Sequence, residues 1–129
     1  MKSATIKIIT NNPLVFDKYK NITFLQSCSV EDIFTLARDE IHLGAKLIIH
    51  PLSGSIKPNE SPYKSLVLSN ERDSLDTESL LLIESAIATL RKLPKRSREL
   101  PKRALDDFQV IDLDLLDSAI TALPQNYYF

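Results

Sequence analysis

Two kinds of hydrophobic pattern alternate along this chain. Short apolar runs rich in isoleucine, leucine and valine are separated by longer segments in which apolar residues recur every three or four positions. The short runs are typical of β-strands, and the longer segments are typical of amphipathic α-helices. Strands are predicted at residues 4–10, 22–25, 45–49 and 65–69, and helices at residues 14–19, 29–43 and 76–92.

Start and stop signals support these helices. Ser29 is placed to cap the second helix, and Gly44 is placed to end it. Asn12 suits the cap of the first helix, and Asp76 or Thr77 suits the cap of the third. The second helix buries one stripe, which consists of Val30, Ile33, Phe34, Ala37 and Ile41.

The last quarter of the chain allows two interpretations. In the first, residues 108–111 form a fifth strand, and a last helix follows and ends before Pro124. In the second, one helix runs from Arg103 to Leu123. Both fit the apolar spacing, because a four-residue apolar run suits either structure.

Strands that alternate with helices indicate an α/β fold with a largely parallel sheet. A chain of 129 residues has the size of one domain. We therefore expect residues 1–129 to form a single three-layer α/β domain, with helices flanking a sheet of four or five strands. Within it, the continuous apolar run at residues 47–49 favours a central strand covered on both faces.

Composition narrows the class of protein. The single cysteine, Cys28, permits no internal disulfide, which fits a reducing compartment. No apolar run approaches the roughly 20 residues that span a bilayer, and the first residues enter a strand pattern without signal-peptide features. We expect a cytoplasmic protein without a cofactor or a metal site, since Cys28, His42 and His50 lack a metal-ligand spacing.

Positive charge is concentrated in one segment of a chain whose net charge is −1. Residues 91–103 contain seven basic residues and one acid, whereas residues 104–129 contain five aspartates and no lysine or arginine. The simplest interpretation is a solvated segment, and a docking patch for an acidic partner is the alternative. Nucleic-acid binding is not favoured, because no aromatic residue interleaves with the basic ones.

A long polar loop with three prolines separates the predicted strands at residues 45–49 and 65–69. Compact domains rarely keep such a loop without a function. In open α/β sheets, ligands bind outside the carboxyl ends of the strands, where this loop and the turn after the first strand are expected. The candidate ligand-binding residues are Asn11, Asn12, His50, Ser53, Gly54, Ser55, Lys57, Asn59, Glu60 and Tyr63.

The loop carries groups that suit an anion. Residues 53–55, followed by Lys57, offer backbone amides, hydroxyls and a positive charge, although the glycine spacing is not that of a Walker loop. A tight turn at Gly54 is the structural alternative. His50 suits an acid, a base or a ligand, or a residue that pins the end of the strand.

Two runs of sequence resemble the GrdX family, small proteins associated with the glycine, sarcosine and betaine reductase gene clusters of amino-acid-fermenting anaerobic bacteria. The runs are Ile8-Ile9-Thr10-Asn11-Asn12-Pro13-Leu14-Val15 and residues 50–65, and a weaker likeness lies around residues 107–116. The resemblance implies a metabolic context and a protein partner in a reductase system. It supplies no catalytic residues.

Two hypotheses about function follow. The first is an accessory or regulatory protein that binds a small anionic metabolite or a protein partner through the loop at residues 50–65. The second is a small enzyme that acts on a carboxylate- or phosphate-bearing metabolite, with His50 as acid or base. The absence of a recognisable acid–base–nucleophile set in the sequence favours the first hypothesis.

Overall fold

The computed structural model describes residues 4–53, 59–94 and 99–129, and it shows a mixed α/β fold. The elements are β1 (Ala4–Thr10), α1 (Pro13–Lys18), β2 (Ile22–Phe24), α2 (Val30–His42), β3 (Ser65–Ser69), α3 (Thr77–Lys92), α4 (Lys102–Thr121) and β4 (Tyr127–Tyr128). Within the described ranges, no helix is both long enough and apolar enough to cross a membrane.

The predicted helix caps are confirmed. The side chain of Asn12 accepts a hydrogen bond from the Leu14 amide, and Asp76 accepts one from the Ser79 amide. Ser29 and Asp32 form a reciprocal capping box, in which each side chain accepts from the other residue's backbone N–H. Each cap satisfies an amide that the first turn of a helix leaves without a partner.

The sheet has the strand order β2-β1-β3, and β4 also pairs with β1. β2 and β4 run parallel to β1, whereas β3 runs antiparallel to it, with Ile8 opposite Val67. The expected three-layer, largely parallel sheet of four or five strands is therefore not confirmed. What the structure supports is a mixed sheet with β1 in its interior.

Residues 45–49 do not form the predicted central strand. They make a single antiparallel bridge, Leu47 to Leu68, on β3. The amide of Ile48 donates to the carbonyl of Val67 at 3.0 Å, and the amide of Ser69 donates to the carbonyl of Lys46 at 2.9 Å. The long loop then reverses the chain, so β3 inserts between β1 and residues 45–49. This reversal explains both the antiparallel direction of β3 and the outer position of the 45–49 segment.

The predicted fifth strand at residues 108–111 was wrong, because these residues lie inside α4. The alternative interpretation, one helix from Arg103 to Leu123, agrees with the observed Lys102–Thr121 to within a turn. No glycine or proline interrupts residues 102–121, so the helix continues through the short apolar run.

Side chains of β1 pack into two separate apolar clusters. Ile9 belongs to a cluster with residues of α2 and α3, such as Phe34 and Ile83. Ile6 and Ile8 belong to the other cluster, which α1 and α4 supply. Because alternate residues of a strand face opposite sides of a sheet, helices cover both faces of β1. The carboxyl end of β1 is consequently buried among α4, the start of α2 and the chain that enters β3.

The turn after α2 gives a direct test of this packing. Gly44 has a φ of +113°, and a Cβ atom there would lie 2.6 Å from the Asp73 nitrogen and 2.7 Å from the Arg72 carbonyl carbon. We expect Gly44→Ala to lower the free energy of unfolding by at least about 2 kcal/mol, since backbone strain and a backbone clash add. Urea denaturation measures the loss.

Leu43→Ala is the matched control, because Leu43 is adjacent to Gly44 and 53% exposed. Leu43→Ala should lower the free energy of unfolding by no more than about 0.5 kcal/mol. A Gly44→Ala protein as stable as this control would show that the turn tolerates a side chain and that its close approach to residues 72–73 is not a constraint.

Candidate ligand-binding cleft

The two asparagines after β1 are buried, and each one joins distant parts of the chain. Asn11 donates from Nδ2 to the carbonyls of Cys28, at 2.8 Å, and Pro62, at 2.9 Å. Its Oδ1 accepts from the amide of Lys64 at 3.0 Å. Three of the four hydrogen bonds that an amide side chain can form are therefore used inside the protein. Asn11 fixes the path of the chain into β3.

Asn12 connects the end of β1 to α4. Its side chain is fully buried, and Nδ2 donates to the carbonyl of Gln109 at 2.9 Å and to Oδ2 of Asp112 at 3.0 Å. Its Oδ1 accepts from the amide of Leu14 at 3.0 Å as the α1 cap. One side chain thus starts α1 and positions α4.

Asp112 lies on the inner face of α4 and is 8% exposed. Its Oδ2 also accepts from the hydroxyl of Ser65 at 2.8 Å, and that hydroxyl contacts the hydroxyl of Thr10 at 2.7 Å. Burial raises the pKa of Asp112 above its ordinary value, although the hydrogen bonds from Asn12 and Ser65 and the charge of Lys64 oppose the rise. Asp112 is therefore a carboxylate held in place by neutral donors.

Lys64 precedes β3 and is half-buried. Its Nζ donates to the carbonyl of Ser53 at 3.4 Å, which is a long contact. Burial lowers the pKa of Lys64, and the negative charge of Asp112 opposes that change. Lysine and aspartate thus attract each other, but no direct ion pair joins these two described side chains.

These residues line a cleft of about 30 Å³. Its polar wall consists of Ser53, Lys64, Ser65 and Asp112, and its apolar wall consists of Ile49, Leu115, Leu116 and Ala119. An ammonium, a carboxylate and hydroxyl groups are therefore available beside an apolar surface. No group of three or more histidine, cysteine or acidic side chains suited to a metal occurs among the residues that the structure describes.

The structure separates the residues that the sequence proposed as ligand-binding. Ser53 lines the cleft, whereas Asn11 and Asn12 are buried structural residues beside it. His50 is exposed, and its Nδ1 accepts from the amide of Leu52 at 3.0 Å within a turn. His50 therefore helps to shape the loop that carries Ser53.

The remaining candidates lie further along the loop. Tyr63 is half-buried, and its hydroxyl accepts from Nε2 of Gln109 at 2.8 Å. Asn59 donates to the carbonyl of Pro94 at 3.0 Å, and Glu60 is exposed. The last three candidates, Gly54, Ser55 and Lys57, lie outside the described residues, so their part in binding stays a prediction.

Two principal residues of the cleft, Lys64 and Asp112, were missed in the sequence. Asp112 carried a usable signal, because it falls at helical spacing between Phe108 and the pair Leu115–Leu116. A charged residue inside an apolar stripe is a candidate for a buried site. The strand interpretation of residues 108–111 concealed this spacing, and Lys64 had no local signal that separated it from an ordinary surface lysine.

The buried carboxylate predicts a pH dependence of stability. Because the pKa of Asp112 is raised, the folded protein binds this proton more tightly than the unfolded chain does. Between the ordinary pKa of 3.8 and the raised value, this group therefore makes the folded protein less stable as the pH rises. Asp112→Asn removes this titration. As the pH rises through that window, the free energy of unfolding of Asp112→Asn minus that of wild type should therefore increase.

Urea denaturation of both proteins at a series of pH values measures this difference. Asp114→Asn is the control, because Asp114 is exposed on the same helix and its removal should leave the wild-type pH dependence. A difference between Asp112→Asn and wild type that stays constant with pH would show that Asp112 titrates alike in the folded and unfolded states.

Comparison with known proteins places the cleft in a family context. No curated protein and no solved structure matches the chain. The model of one family, described as GrdX-like protein, matches residues 7–121, which include every residue that lines the cleft. A match over most of the 129 residues confirms the resemblance seen in the sequence, and the chain therefore belongs to the GrdX-like protein family.

Proposed function

We propose that this protein is a cytoplasmic accessory or regulatory protein of glycine, sarcosine and betaine reductase metabolism. We further propose that it binds a small anionic ligand in the cleft between α4 and the 50–65 loop, and that the carboxylate of the ligand is the group recognised. Family membership supports the metabolic context. The side chains around the cleft support the ligand class. A protein partner from the same reductase system is the second candidate occupant of this loop.

The observation that carries the proposal is the state of the Lys64 ammonium. An ammonium has three donors, and among the described residues this one makes a single long hydrogen bond, to the Ser53 carbonyl at 3.4 Å. Half-buried positive charge is costly unless it is paired. An anion that enters the cleft would supply the missing acceptor and offset that cost.

A second lysine of the same chain shows the usual alternative. Lys7 is 7% exposed, and its Nζ donates to Oε1 of Glu40 at 2.8 Å. The structure therefore satisfies Lys7 with an internal carboxylate in direct contact. Lys64 lacks such a contact among the described residues, and this difference supports Lys64 as the lysine that binds the ligand.

The base of Lys64 is also held firmly. Its backbone amide donates to Asn11 at 3.0 Å, and the next residue, Ser65, is bonded to both Thr10 and Asp112. A side chain that starts from a fixed backbone loses less conformational freedom on binding a ligand. The buried asparagines therefore hold the residues of the cleft in position without lining it themselves.

Among the residues that the structure describes, no contact favours an enzyme that uses His50. Its Nδ1 is engaged by the Leu52 amide, and the imidazole is exposed.

In the basic segment, Arg91 lies 3.4 Å from Glu31 and Lys102 lies 3.6 Å from Asp106, so part of the positive charge is offset within the protein. The cleft is the better-supported site.

Lys64→Met tests the proposal, with acetate as the probe. We expect wild type to bind acetate and Lys64→Met to weaken the affinity by about tenfold or more, since the substitution removes the charge and keeps most of the apolar stem. Circular dichroism should show an unchanged fold. NMR titration measures the affinity.

Lys20→Met is the matched control, because Lys20 is exposed and lies outside the cleft lining. Its affinity for acetate should equal that of wild type. Equal affinity in Lys64→Met would overturn the proposed site. If Lys57→Ala abolished binding while Lys64→Met did not, the anion site would lie in the segment that the sequence first indicated.

A further inference from the structure

The cleft presents two opposite charges rather than one. Lys64 and Asp112 both line it, and each affects the titration of the other. They remain without a direct ion pair between them in the described structure, although the Lys7–Glu40 pair shows that this fold can close such a contact to 2.8 Å. A ligand with both charges would give each of these two groups a counter-charge within the cleft that they line.

Charge balance narrows the ligand class further. The formal charges of Lys64 and Asp112 cancel, so a simple anion gains the attraction of Lys64 and meets the repulsion of Asp112. For a dianion such as phosphate, the attraction to Lys64 and the repulsion from Asp112 both double, so the extra charge brings no net gain. A molecule with a negative acceptor at one end and a positive donor at the other is attracted at both ends.

Asp112 has capacity for such a donor. The bonds from Asn12 and Ser65 side chains both end on Oδ2, and a backbone contact from Ser65 also stabilises the charged form. An ionised carboxylate has about four acceptor sites, so one more N–H group can be accommodated. Burial also disfavours the charged forms of both Lys64 and Asp112, and a bound zwitterion would give each of them a counter-charge.

The size of the cleft limits how much of a ligand it can enclose. A water molecule needs about 10–15 Å³ of such space, and the cleft provides about 30 Å³. The cleft therefore encloses about two or three groups of the size of a water molecule, so the two charges of the ligand must be close together. The apolar wall of Ile49, Leu115, Leu116 and Ala119 suits a methylene or methyl group between or beside them.

We infer that the cleft binds a small zwitterion of the α-amino acid type, with its carboxylate on Nζ of Lys64 and its ammonium N–H on the carboxylate of Asp112. This inference rests on the proposed function, because it assigns the anionic end to the same lysine. It adds a second recognition residue and a requirement for an N–H donor. The expected ligands are therefore a smaller class than the small anions of the proposed function.

Isothermal titration calorimetry on the full chain, with three probes, tests the inference. Glycine carries both charges, acetate carries the carboxylate alone, and methylammonium carries the ammonium alone. We expect wild type to bind glycine about tenfold or more tightly than either of the other two. In Asp112→Asn, the glycine affinity should fall until the ratio of glycine to acetate affinity approaches one.

The ratio is the decisive quantity, because a partly destabilised variant weakens both probes and leaves their ratio unchanged. Asp114→Asn, an exposed aspartate on the same helix, should keep the wild-type ratio. Should Asp112→Asn fail to fold, wild type alone still decides: betaine has a quaternary nitrogen without N–H donors, so it should bind at least about tenfold more weakly than glycine.

The outcomes distinguish this inference from the proposed function. Equal affinity for glycine and acetate, both lost in Lys64→Met, would overturn the zwitterion and leave the anion site in place. Betaine as tight as glycine would overturn the hydrogen bond to Asp112. If neither acetate nor glycine binds, both the proposed function and the inference are wrong.

Discussion

The buried hydrogen bond from Asn12 to Asp112 is the interaction on which the arrangement of this protein depends. It joins residues 100 positions apart and brings a charged group of α4 to the end of β1. A buried carboxylate without donors would be strongly destabilising, so the asparagine is what allows Asp112 to lie on the inner face of the helix. The same amide caps α1, and one residue therefore sets the relative positions of a strand and two helices.

Asn11 performs the complementary task on the other side of the turn. Its side-chain amide donates to the Cys28 carbonyl, just before α2, and to the Pro62 carbonyl, and it accepts from the Lys64 amide, just before β3. Adjacent residues of an extended chain point in opposite directions, which lets two consecutive asparagines bind different elements. The polar network is costly to bury and is stabilising only when complete, so it favours one arrangement of loop, sheet and helix. The cleft lies where these three elements meet.

Two lysines of this chain differ in how their positive charge is accommodated. Lys7 contacts Glu40, which also lies 3.3 Å from Arg72, so the carboxylate is shared by two cations and the group is internally satisfied. Lys64 is affected by the charge of Asp112, and its Nζ makes a long contact of 3.4 Å with the Ser53 carbonyl. Lys7 is thus paired inside the protein, whereas Lys64 has no such contact among the described residues, and the proposed ligand site rests on this difference.

The sequence by itself determined the local structure. Caps at Asn12, Ser29 and Asp76 and the apolar stripe of α2 depend on residues within one or two helical turns, so their signals can be read from neighbouring positions. The two asparagines follow the carboxyl end of β1, as the sequence predicted, and the cleft proposed as the site lies beside them. The family resemblance, carried by the same segments, was confirmed over residues 7–121.

Only the tertiary structure decided the order of the strands and the composition of the cleft. The 45–49 segment has the apolar content of a central strand, but its place was set by the loop that returns β3 beside β1, which no local pattern encodes. Lys64 and Asp112 line the same cleft because Asn11 and Asn12 bind segments about 50 and 100 residues away. Contacts between residues this far apart in the sequence depend on the complete fold. Periodicity and capping signals depend only on neighbouring residues, so they cannot predict such contacts.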